Sequence, residues 1–151
     1  VELVGASPQR YLKSVMSTLA APGATGDRDW DLPIGNDLVA LLLRHTTFNQ
    51  ASSHSYGVDG FTLKVDNREF QYSFAKTQCM VGDLGLRVDG QDGTIAAQGT
   101  VLPANFTWAD FDPNGDSQWL VETAGKSRVH AVLNMGTNEA TYATVVELVK
   151  V

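Results

Sequence analysis

The sequence predicts a mainly β protein of the α+β class: an antiparallel β-sandwich or barrel-like sheet flanked by one or two α-helices. Three observations predict it. Residues 61–102 alternate apolar and polar side chains almost continuously, the period of strands with one dry face and one wet face. Asp66-Asn67 and the cluster Asp89-Gly90-Gln91-Asp92-Gly93 interrupt that stretch with residues that tolerate positive φ and close hairpins. Two other segments instead carry apolar residues three and four apart, the spacing of an amphipathic helix.

The first of these helical segments covers residues 8–20. Ser7 is a suitable N-cap, Pro8 suits the first helical position, and Tyr11, Leu12, Val15, Met16 and Leu19 form the apolar stripe. That stripe is assigned to the core rather than to a partner. Ala21-Pro22-Gly23 ends the segment, and 22–29 is a Gly- and charge-rich loop. Trp30, Leu32 and Ile34 alternate as a short strand. The second helical segment, 38–48, follows Asn36-Asp37, with Leu38, Leu41 and Leu42 on one face and Arg44 and His45 near its end to suit the helix dipole.

After a polar loop at 49–60 comes the meander of about four strands. Phe61, Leu63 and Val65 share one face of its first strand. Glu69, Gln71 and Ser73 face away from Phe70, Tyr72 and Phe74, and Thr94, Ala96, Gln98 and Thr100 face away from Ile95, Ala97, Gly99 and Val101. Residues 119–123 and 127–135 form a further strand pair around Ala124-Gly125-Lys126, with Val129, Ala131, Leu133 and Met135 inward. The β-branched run at 140–151 closes the chain as a strand.

Composition narrows the function classes. With 151 residues, 43% hydrophobic and 19% charged, the chain reads as one globular domain over 1–151. No apolar run reaches the roughly 18–20 residues of a membrane helix. Cys79 is the sole cysteine, so no internal disulfide forms and a reducing compartment fits. A net charge of −6 argues against gripping nucleic acid by its phosphates, although not against lying beside it.

Few residues carry the signature of chemistry. Asp110, Asp112, Asn114 and Asp116 have the alternate spacing of a calcium loop, with Gly115 at its sixth position, and would offer hard oxygen ligands to Ca2+. The twelfth position, however, is Val121, and Glu122 comes one residue late. His45, His54 and His130 lack the spacing of a zinc site, and Ser53-His54 alone makes no catalytic pair. Cys79 reads as a buried structural thiol. No catalytic residue, cofactor or enzymatic activity is expected. A monomeric calcium-stabilised β-sandwich for adhesion or ligand binding stands as the alternative.

Residues 28–102 taken together resemble the major tail tube proteins of long-tailed bacteriophages. The resemblance rests on Trp30-x-Leu32-Pro33, the leucine-rich segment after Asp37, the hairpin from Phe61, Cys79, and V-x-D-L-x-L-x-V-x-G-x-D-G-T-I from Val81. Gln78 stands where that family usually has glycine, and the chain after Pro103 matches nothing in the pattern. The resemblance implies a virion protein, assembled in the host cytoplasm, whose protomers close into rings that stack into a tube for genome passage. Its partners would be copies of itself, with neither tight nucleic-acid contact nor a membrane. Glu69, Gln71, Ser73, Thr94, Gln98 and Thr100 would line the lumen, and the loops at 22–29 and 49–60 would touch neighbouring rings.

Overall fold

Nine strands in two antiparallel sheets make up the described part of the chain, residues 9–45, 57–69, 75–76 and 106–150 of a computed structural model. They are β1 (Arg10–Leu19), β2 (Gly26–Asp31), β3 (Asp37–His45), β4 (Val58–Val65), β5 (Arg68–Glu69), β6 (Ala75–Lys76), β7 (Phe106–Asp110), β8 (Val129–Met135) and β9 (Thr141–Lys150). The first sheet has the order β1-β9-β3-β7. The second has the order β2-β8-β4-β5, with β6 also pairing with β4.

No helix occurs among the described residues, so both expected helices are corrected to strands. In β1 the apolar pairs Tyr11-Leu12 and Val15-Met16 place one member on each face of a strand, a spacing that also satisfies a helical stripe. Ten residues of continuous pairing with the β-branched β9 settle the choice, from Arg10↔Lys150 to Leu19↔Thr141. In β3 the three-residue step from Leu38 to Leu41 looks helical. It is instead a bulge: the register against β9 shifts between Leu38 and Ala40, which returns Leu41 to the face that holds Leu38. β3 lies between β9 and β7, and its inward Leu41 and Leu43 alternate with the half-buried outward Leu42, so apolar residues follow one another along the strand.

The hairpin expected at Asp66-Asn67 is present. Both residues have positive φ, 50° and 65°, and Val65↔Arg68 and Lys64↔Glu69 close the pair. β8 carries the inward set Val129, Ala131, Leu133 and Met135, all buried, and β9 runs where the terminal strand is expected. The expected strand at 119–123 reduces to one bridge, Val121↔Leu38, so it is not the hairpin partner of β8. β8 lies between β2 and β4 instead. The early strand also begins sooner than expected, at Gly26, inside the expected loop. Most of the later meander falls outside the described residues.

The pairs β1·β9, β2·β8, β3·β7 and β4·β5/β6 are nested like the rungs of one long hairpin. That hairpin is rolled so that β9 also pairs with β3 and β8 with β4. With β5 and β6 taken together as the partner of β4, the described residues have the nested strand order of a two-sheet jelly roll. Phe61, Leu63, Leu133 and Trp30 from one sheet meet Leu38, Leu41, Leu43 and Val145 from the other, and Phe111 and Val121 close the core from the loop after β7.

Candidate assembly surface

β1 lies at the edge of its sheet and is exposed along almost its whole length. Alternation sends Leu12, Ser14, Met16 and Thr18 outward and Tyr11, Lys13, Val15, Ser17 and Leu19 toward the sandwich interior. Leu12 is 64% exposed and Met16 68%, and even the inward Tyr11 and Val15 keep 51% and 43% of their surface. The apolar stripe assigned to the core therefore points largely into solvent. Only Leu19 packs against the core. The amino-acid order holds no warning of this, because exposure here depends on β1 lying at a sheet edge.

Beneath β1 runs an open groove lined by Lys13, Val15, Ser17, Trp30, Pro33 and Val145. Glu147, buried on β9, extends into it. Its Oε2 lies 3.1 Å from Lys13 Nζ, and its Oε1 accepts a 3.2 Å hydrogen bond from Asn36 Nδ2. A buried carboxylate is costly without such partners, so this pair ties the edge strand to the sheet beside it. Thr123 braces the same corner: its hydroxyl donates to the Asn36 carbonyl at 2.6 Å and accepts from Gly35 N at 2.8 Å. Lys150 closes the far end on Asp37 at 2.9 Å.

The outer face of the first sheet continues the apolar character inward from β1. Leu12 is opposite Leu148 and Ser14 opposite Val146, while Leu42 and Trp108 are paired further across. The guanidinium of Arg44 stacks over Tyr142 at 5.4 Å. The second sheet is different. Its edge strand β2 presents Asp27, Asp29 and Asp31 outward, held by Asn134 (2.6 Å to Asp27) and by Arg128 (3.3 Å to Asp29, 2.7 Å to Asp31). The Asp31 hydrogen bond is the main cause that holds the Arg128 pKa above its ordinary value.

The residues singled out from sequence do not gather into a chemical site among the described residues. Glu69 is exposed on β5, while Gln71, Ser73, Thr94, Gln98 and Thr100 lie outside the described residues, as do His54 and Cys79. Asp110, Asp112 and Asp116 turn their carboxylates to backbone amides: Asp112 N donates to Asp110, Ser117 N to Asp112 and Gln118 N to Asp116, at 2.8, 2.8 and 3.0 Å. Asn114 is exposed at the loop tip. No group of three acidic, His or Cys side chains is placed to hold a metal among the described residues. His45 and His130 are both buried, in different sheets. Among the described residues, no helix is long and apolar enough to cross a membrane.

No protein-family model matches the chain, and no curated protein matches it. Solved structures do. Over 97% of the chain it superposes on the major capsid protein P2 from bacteriophage PM2, with a TM-score of 0.63 and 16% identity, covering 46% of that chain. The capsid of PBCV-1 virus matches over 92% of the chain at TM-score 0.58 and 11% identity, with 47% of that chain covered. The STIV major capsid protein matches over 95% at 0.56 and 10%, with 42% covered. At these identities the likeness is one of fold. The chain spans less than half the length of each of these proteins.

Proposed function

We propose that this chain is a structural protein of a virus particle, a protomer that associates with copies of itself. The observation that carries the reading is the superposition of almost the whole chain, with its nested strand order, on capsid proteins from PM2, PBCV-1 and STIV. The exposed edge of β1 and the apolar outer face beside it support it, because large unpartnered apolar surface marks sites of association. The acidic balance supports a protein that lies near nucleic acid without binding it tightly. The role is structural rather than catalytic, and the place of action is the virion after assembly in the host cell.

Within that reading a shell protomer is the stronger form, since the neighbours in fold are capsid proteins. A tail tube protomer is the narrower form that the resemblance of residues 28–102 supports. Negative-stain electron microscopy over a concentration series, with light scattering in parallel, separates them. Closed shells or flat sheets support the capsid form, and stacked rings or hollow tubes support the tube. A protein that stays monomeric at every concentration, alone and with particles of its own virus, would overturn both.

A further inference from the structure

We propose that β1 is the contact between two copies of this chain, which pair edge to edge through antiparallel β1 strands. The inference rests on the self-association in the proposed function and names the surface that begins it.

β1 and β2 are the edge strands with both ends among the described residues, and they differ in a way that singles out β1. An exposed edge offers unpaired backbone groups to any passing strand, and proteins blunt such edges with short strands, charge or interruption. β2 is six residues long and shows three aspartates outward. β1 runs ten residues without proline, glycine or acid, and among the described residues it pairs with β9 alone. Its charges are Arg10 at one end and Lys13, which is turned inward onto Glu147. Lys13 is the charge within the strand that would blunt such an edge, and Glu147 engages its ammonium; the most exposed large apolar residues of β1 are Leu12 and Met16.

The residue order of β1 admits a self-complementary register. A two-fold axis perpendicular to the sheet at Ser14 sets Leu12 of each copy opposite Met16 of the other, on the outer face. On the inner face Tyr11 meets Ser17 and Lys13 meets Val15, so the two lysines do not oppose each other. The two four-stranded sheets then join into one, and the two sandwiches stand side by side. The exposed Leu12 and Met16 become a continuous apolar strip with Leu148 and Val146 of both copies. Such a contact is isologous and closes on itself as a dimer, leaving the rest of the surface for further assembly.

The test uses the full chain with two substitutions. Ser14→Cys, in a Cys79→Ser background with that background as control, places two thiols at the axis. Directly opposed Cα atoms in an antiparallel pair are about 4.5–5.5 Å apart, within disulfide range. Mild oxidation then gives a covalent dimer in high yield. Met16→Lys, at an exposed position, leaves the fold intact by circular dichroism and weakens dimerisation by at least about tenfold in sedimentation equilibrium. A dimer that persists undiminished in Met16→Lys and does not cross-link through residue 14 overturns the proposal. So does a monomer whose β1 amides are protected from hydrogen exchange, since another segment of chain then fills the edge. Large assemblies that form from Met16→Lys as readily as from the unaltered chain sink the edge pairing but spare the shell reading. A chain that never associates sinks both.

Discussion

Gly57 packs directly against the imidazole of His45. A Cβ added at Gly57 would lie 2.7 Å from His45 Nδ1 and 2.9 Å from its Cβ, and closer still to Cγ. Glycine is required here by proximity, because there is no room for a methyl group beside a ring at the end of a central strand. Gly57→Ala is expected to destabilise the fold by about 1–3 kcal/mol through overpacking. Urea unfolding followed by tryptophan fluorescence measures it, and an unchanged midpoint would contradict this packing.

His45 also makes stability depend on pH. Its pKa falls from 6.5 to about 4, chiefly because burial disfavours the imidazolium, with the negative charge of Glu139 opposing. The unfolded chain therefore binds the proton more readily than the folded one. The stabilising contribution is complete above about 6.5 and is lost as pH falls toward about 4. The loss across that window is about 3 kcal/mol. His45→Gln should flatten the slope of unfolding free energy between those pH values, whatever it does to the absolute stability.

At the other end of the sandwich Asp66 fastens the β4–β5 turn to the strand that follows it in space. Its Oδ1 accepts from Ser127 N and Ser127 Oγ, both at 2.8 Å, and from Arg128 N at 3.3 Å. The Ser127 hydrogen bonds are the main cause holding its pKa below the ordinary 3.8. A carboxylate with a depressed pKa stabilises the fold above its ordinary range and stops doing so as it is protonated. Asp66→Ala should therefore lower the melting temperature at neutral pH. The gap between variant and parent should narrow as pH is taken below 3.8.

Lys13 and Glu147 should be energetically coupled. The carboxylate is buried while the ammonium stem is half in solvent, so removing Lys13 leaves a charge with Asn36 as its remaining polar contact in the groove. A double-mutant cycle with Lys13→Met and Glu147→Gln is expected to give a coupling of about 1–2 kcal/mol. Additive single effects would mean that the pair is formed too loosely to tie β1 down.

Calcium should leave the protein unaffected. The Asp110, Asp112 and Asp116 carboxylates already accept backbone amides within their own loop. Addition of millimolar Ca2+ is expected to leave the melting temperature where it stands. A rise that grows with calcium concentration would restore the binding-module alternative.

Local chemistry made several parts of this fold legible in the amino-acid order. Asp66-Asn67 closes a hairpin because both residues accept positive φ. Val129, Ala131, Leu133 and Met135 announce an inward face by alternation alone, and the β-branched run of β9 declares itself a strand. What the order left open is which strand lies beside which, and hence what each face meets. The same apolar spacing in β1 and β3 serves a helix or a strand, and a partner distant in sequence decides between them. β9, more than a hundred residues after β1, imposes the strand on it, and a bulge at Val39 mimics a helical step in β3. The exposure of Leu12 and Met16 follows from β1 lying at an edge. That position is a property of the whole rolled hairpin, since a side chain's burial depends on what the rest of the chain places over it.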